Sequence, residues 1–114
     1  MSATKAEQSI ANSAESYKVL ALSTGHITKE DTDALNAAAA DPEENMVMKR
    51  DTGWFIKLYF VPDISDQHTL NRNMRHGVSP ATKLIIKLAV NAGFQMIEFD
   101  GDAGYIDGLP TFDW

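Results

Sequence analysis

The spacing of apolar positions changes along the chain, and each change predicts an element. Residues 17–22 (YKVLAL) form a short, almost wholly apolar run before Ser23-Thr24-Gly25, which predicts a buried strand. Thr28-Lys29-Glu30-Asp31 then has the form of a capping box, with the Thr28 oxygen placed to accept from the Asp31 amide. Glu30, Asp31 and Asp33 fall in the first turns, where the helix dipole favours acids. Ala34, Leu35, Ala38 and Ala39 recur at helical spacing until Asp41-Pro42, because a residue before proline is pushed out of the α region.

Residues 46–50 and 54–60 predict two strands of a hairpin around Asp51-Thr52-Gly53, with the glycine expected to close the loop in a left-handed conformation. Trp54, Ile56, Leu58 and Phe60 share the core face of the second strand, and Phe55, Lys57 and Tyr59 the other. Residues 61–78 show no clear period and read as a long loop, with a short helical turn over 67–74. Ser79-Pro80 opens a second helix, serine as N-cap and proline at the first helical position. Its expected apolar stripe is Ala81, Leu84, Ile85, Leu88 and Ala92, with Thr82, Lys83, Lys87 and Asn91 outside and Gly93 at the C-cap. Residues 94–100 return as a strand, a turn follows at 101–104, and 105–107 are expected as a small extra C-terminal strand.

The order β-α-β-β-α-β predicts an α+β, two-layer sandwich of one domain, with a mostly antiparallel sheet and two helices on one face. Residues 1–16 read as a polar, Ser/Ala-rich lead-in, flexible or weakly helical, ahead of a domain over 17–114. No apolar run reaches the ~20 residues of a membrane span. The start lacks the apolar centre of a secretory signal, so a cytoplasmic protein is expected. With 114 residues the chain is long enough for one core without staples. The absence of cysteine excludes disulfides, thiolate metal sites and cysteine nucleophiles.

Net charge is −6, which argues against general nucleic-acid binding. The signs are segregated. Residues 30–44 carry six acids and no base, 98–113 carry five and none, and 68–87 carry Arg72, Arg75, Lys83 and Lys87 without an acid. Such segregation steers partners, unless the charges pair within the fold. In the acidic C-terminal segment Tyr105, Leu109, Phe112 and Trp114 predict an end that packs down, although chain ends usually fray.

Each stretch with candidate chemistry also has a simpler structural role. Asp100-Gly101-Asp102-Ala103-Gly104, with Asp107 nearby, places carboxylates two apart as a calcium loop does. The fifth position is Gly104 and the twelfth Thr111, however, so turn chemistry explains the segment better than a metal. Ser23, Thr24 and His26 leave a strand and approach a helix start, where amides hold anions and a histidine transfers protons. No nucleophile elbow or phosphate-loop lysine accompanies them. His26, His68 and His76 lack zinc-site spacing, and a triad built on Ser23 or Ser79 is equally unspecific. A patch of Arg72, Arg75, His76, Lys83 and Lys87 is read first as a solvated face, and Trp54-Phe55 first as core and sheet-edge packing.

Three stretches together resemble a bacterial family of unknown function carried by plasmids, phages and integrated elements. They are Leu22-Ser23-Thr24-Gly25-His26-Ile27-Thr28, Gly53-Trp54-Phe55-Ile56 and Asp107-Gly108-Leu109-Pro110-Thr111-Phe112-Asp113-Trp114, and the likeness spans roughly residues 18–114. It implies a small accessory protein of a mobile element and supplies no catalytic residue. The expectation is a non-enzymatic accessory or inhibitor protein, without cofactor, catalytic residue or metal, that binds a protein partner. Its contact surface would comprise Asp100, Asp102, Tyr105, Asp107, Asp113, Trp54 and Trp114. The alternative is a small enzyme or anion-binding domain using Ser23, Thr24 and His26. Homo-oligomerisation through a sheet edge is a further possibility.

Overall fold

A computed structural model describes residues 4–43, 46–58 and 77–113. The element order is α1 (Lys5–Ala11), β1 (Val19–Leu22), a 3-10 turn (Thr24–His26), α2 (Lys29–Ala40), β2 (Val47–Arg50), β3 (Gly53–Lys57), α3 (Pro80–Asn91) and β4 (Met96–Asp100). The expected loop over 61–78, apart from residues 77 and 78, lies outside the described residues. So do the helical turn over 67–74, Tyr59, Phe60, His68, Arg72, Arg75, His76 and Trp114.

The architecture is α+β, with a four-stranded mixed sheet in the order β1-β4-β3-β2. Strands β2 and β3 form an antiparallel hairpin, β3 runs antiparallel to β4, and β1 pairs parallel to β4. Two expectations about the element order are corrected. The described residues hold three α-helices rather than two, because Thr4 caps a short helix within the lead-in by accepting from the Glu7 amide. This helix buries no residue. Residues 105–107 do not form a strand; their backbone groups bond to a histidine and a turn, as described below.

One sheet face makes the core. By register Leu20, Leu22, Ile97, Phe99, Trp54, Ile56 and Val47 share that face. All but the partly buried Leu20 are buried, in one cluster with Leu35 of α2 and Ile85, Ile86, Ala89 and Val90 of α3. On the opposite face Val19 and Met48 are exposed and Phe55 is half-buried. Arg50 stacks on the Phe55 ring at 5.2 Å and pairs with Glu98, the residue opposite Phe55 on β4. That ion pair lies over the middle of this face.

The hairpin glycine has a different role from the one expected. Gly53 pairs with Arg50 inside the ladder and has no positive φ, so the loop is the two residues Asp51-Thr52. What demands glycine is proximity. A Cβ at position 53 would lie 1.7 Å from the Phe99 carbonyl oxygen on β4. The backbones of β3 and β4 approach too closely there for any side chain.

Helix α3 starts at Ser79 and Pro80 as expected but is rotated by one residue. Its buried positions are Thr82, Ile85, Ile86, Ala89 and Val90, while Leu84 and Leu88 are 44% and 47% exposed. The segment is apolar on more than one side, so spacing alone admits either stripe. A polar tether selects one. Asp31 of α2 accepts from the Ser79 amide at 2.6 Å, the Ser79 hydroxyl at 2.8 Å and the Thr82 hydroxyl at 2.7 Å. Drawing Thr82 toward Asp31 turns Ile86 and Val90 into the core. Asp31 also completes the capping box of α2 by accepting from the Thr28 amide at 2.8 Å. One carboxylate therefore serves the first turns of two helices.

Candidate functional site

The Ser23-Thr24-Gly25-His26 stretch and the C-terminal segment are bound to each other. Ser23 caps the 3-10 turn by accepting from the Gly25 amide at 3.0 Å. Its own amide donates to the Gly104 carbonyl at 3.0 Å, and the Phe112 amide donates to the Gly25 carbonyl at 2.8 Å. His26 is fully buried. The Ile106 amide donates to its Nε2 at 2.8 Å, and Nδ1 lies 2.8 Å from the Pro110 carbonyl oxygen. A backbone amide can only donate, so Nε2 is the acceptor and the proton sits on Nδ1, directed at Pro110.

Between these clamps residues 106–109 form a turn, closed by the Leu109 amide donating to the Ile106 carbonyl at 3.3 Å. Gly108 supplies its φ of 90°, as the third residue of a type II turn requires. Ile106 and Leu109 pack inward, lining with Leu20, Leu88, Ala92 and Phe94 an apolar cleft of about 320 Å³ between α3 and the segment. The segment is docked without being a strand, since its backbone groups find a ring and a turn in place of a ladder.

The docked segment presents an exposed aromatic ring and several exposed acids. Tyr105 is 67% exposed and stands edge-on to His26, ring centroids 5.3 Å apart. Asp102, Asp107 and Asp113 are exposed. Asp100 is engaged in a turn. Its carboxylate accepts from the Asp102 amide at 3.0 Å, and that bond, the Thr52 side chain and nearby Arg50 together hold it below the ordinary carboxylate range. No three His, Asp or Glu side chains converge as metal ligands among the described residues.

The two candidate sets predicted from sequence meet at one cleft, where Ser23 and Thr24 of one lie with Tyr105 and Asp113 of the other, while Asp107 lines the apolar cleft. Ser23, Thr24, Gly25, Gly101, Tyr105, Phe112 and Asp113 line an open polar cleft of about 390 Å³. His26 lies behind the wall of this cleft, its ring nitrogens engaged by backbone. Trp54 does not join the surface. It is buried between sheet and α2, and its indole N–H donates to Asn36 Oδ1 at 3.1 Å.

Asp31 is the polar residue whose full role sequence reading missed. Its place in the α2 capping box was legible, but its bonds to Ser79 and Thr82 span 48 and 51 residues, and no local pattern announces them. Burial pushes the Asp31 carboxyl up, yet the Ser79 and Thr28 amides and the Thr82 and Ser79 hydroxyls outweigh it and hold the group below the usual range.

No helix among the described residues is long and apolar enough to cross a membrane. No curated protein and no solved structure matches the chain significantly. A family profile does match, described as the C-terminal domain of the DUF5983 family of unknown function, and it covers residues 19–114. That span holds the sheet, α2, α3, the 3-10 turn and the segment clamped on it, and on this match the chain belongs to the DUF5983 family.

Proposed function

We propose that this protein is a non-enzymatic binding module that engages a protein partner through the acidic surface displayed by residues 100–113. The observation that carries the reading is Tyr105, a largely exposed ring held on a buried histidine, which shares a cleft with Asp113 in a segment whose Asp102 and Asp107 are also exposed. An exposed aromatic whose orientation is already set loses little freedom on binding, which is the character of an interface anchor. The exposed carboxylates add steering toward a basic partner surface. An accessory or inhibitor role in a mobile element is the setting that the sequence resemblance implies. The enzymatic alternative lacks its acid–base group: His26 is buried and spends both nitrogens on the backbone.

The test is affinity capture from bacterial lysate with the native protein and with a Tyr105→Ala/Asp102→Asn/Asp107→Asn/Asp113→Asn variant. A Glu30→Gln/Asp33→Asn/Glu43→Gln variant matches the charge change on a different surface. The expected result is a protein retained by the native chain and the control, lost by the first variant, and released by moderate salt. Equal retention by all three proteins refutes the proposed surface.

A further inference from the structure

We propose that the polar cleft beside Tyr105 receives an arginine side chain, a reading that rests on the protein-binding function above and names the group recognised. Charge comes first. No lysine or arginine is among the residues lining the cleft, Asp113 is part of its wall, and Asp100 and Asp102 flank the lining residue Gly101. Arg50 pairs with Glu98 and lies 3.9 Å from Asp100, which leaves Asp102 and Asp113 as the carboxylates here with no ion pair among the described residues. The field at the cleft therefore favours a cation over an anion.

Shape and chemistry narrow the cation. Two of the lining residues are the aromatic residues Tyr105 and Phe112, and at Gly101 a Cβ would meet no atom closer than 3.5 Å, which leaves space beside them. A guanidinium is planar, weakly hydrated and stacks on aromatic faces, whereas an ammonium is a compact, strongly hydrated point charge. Two of the lining groups are already used internally. The Ser23 oxygen accepts from the Gly25 amide, and the Gly25 carbonyl accepts from the Phe112 amide. Asp113 makes no ion pair among the described residues, so its two carboxylate oxygens suit the fork of a guanidinium. A divalent metal would need further carboxylates converging on one point, and the described residues bring no such group together.

The wall is also preformed. The Tyr105 ring lies over Gly25, where a Cβ would come within 2.6 Å of it, and its edge contact with His26 fixes it from behind. His26 is itself held by the segment through both ring nitrogens. An incoming side chain thus meets an aromatic wall already in place.

The test is an NMR titration of the full chain with N-acetyl-arginine methylamide, using its citrulline and lysine counterparts as comparison probes. The arginine probe is expected to shift the Thr24, Gly25, Gly101 and Asp113 amides in a saturable way, with a Kd on the order of 1–10 mM for so small a ligand. Citrulline keeps the shape without the charge and should leave these signals in place; lysine should bind at least about threefold more weakly. Asp113→Asn and Tyr105→Ala should each weaken arginine binding by about threefold to tenfold, while Tyr105→Phe keeps it. The amide spectrum of each variant verifies that its fold is intact. The inference is overturned by an absence of saturable shifts with arginine, by equal binding of lysine or citrulline, or by folded Asp113→Asn binding as the native chain does. A partner captured through the acidic surface without arginine binding would refute this inference and leave the proposed function standing. Arginine binding with no captured partner would do the reverse.

Discussion

Replacing Asp31 by asparagine should unsettle the starts of two helices at once. Asp31 is 1% exposed and accepts from the Thr28 amide at 2.8 Å, the Ser79 amide at 2.6 Å, and the hydroxyls of Ser79 and Thr82 at 2.8 and 2.7 Å. The Ser79 amide meets Oδ1 and the Thr28 amide meets Oδ2. Asparagine keeps the shape but has one acceptor oxygen, so whichever way its amide is turned, one buried backbone N–H faces another donor. Leaving such a group unpaired costs about 1–3 kcal/mol, and losing the charge weakens the remaining bonds. Together these predict a loss of about 2–4 kcal/mol, a large share of the roughly 5–15 kcal/mol that holds a small domain folded. Asp31→Ala, which also leaves a void and takes the acceptor from both the Thr28 and the Ser79 amide, should lose about 3–5 kcal/mol.

Urea unfolding followed by circular dichroism reads this as a lower midpoint at unchanged slope. A double-mutant cycle with Ser79→Ala should return a coupling of about 1 kcal/mol or more, since the two residues share hydrogen bonds. The pH dependence has a definite sign. Because the Asp31 carboxyl is held below its ordinary value in the fold, the unfolded chain takes up the proton more readily. The stability it contributes is fully present above the unfolded value of about 4 and is lost as pH falls through the folded one. Asp31→Asn should lack that part of the acid slope. An asparagine variant within about 0.5 kcal/mol of the native protein, or strict additivity with Ser79→Ala, would refute the shared-cap reasoning.

Three further outcomes are expected. Gly53→Ala should cost about 3 kcal/mol by urea unfolding, because its Cβ would sit 1.7 Å from the Phe99 carbonyl oxygen and force β3 away from β4. His26→Ala should raise hydrogen exchange at the Ile106 and Phe112 amides well before the sheet amides respond, since its ring clamps the C-terminal segment. Ile86→Ala should destabilise by about 2–5 kcal/mol, whereas Leu84→Gln should change stability by no more than about 0.5 kcal/mol; the reverse order would restore the stripe expected from spacing.

Residues close in sequence announced much of the architecture. Thr28 and Ser79 start their helices where capping chemistry places them, Asp41-Pro42 ends α2, and the alternation of Trp54 and Ile56, continued by the buried Leu58 just after the strand, marks the core face of β3. Each depends on interactions a few residues long, so each is written in the local pattern. The rotation of α3 is not, because its segment is apolar on more than one side and the deciding contact is Thr82 on Asp31, 51 residues away. Gly53 was legible as a special position, but its reason, contact with the backbone of β4, exists only after the strands pair. The site divides the same way. The acids, glycines and aromatics of residues 98–113 were visible in the chain, as was Ser23-Thr24-Gly25-His26. That these two stretches clamp each other through His26, bury that histidine and leave Tyr105 beside one cleft was decided by tertiary structure, because it rests on hydrogen bonds spanning about eighty residues of chain.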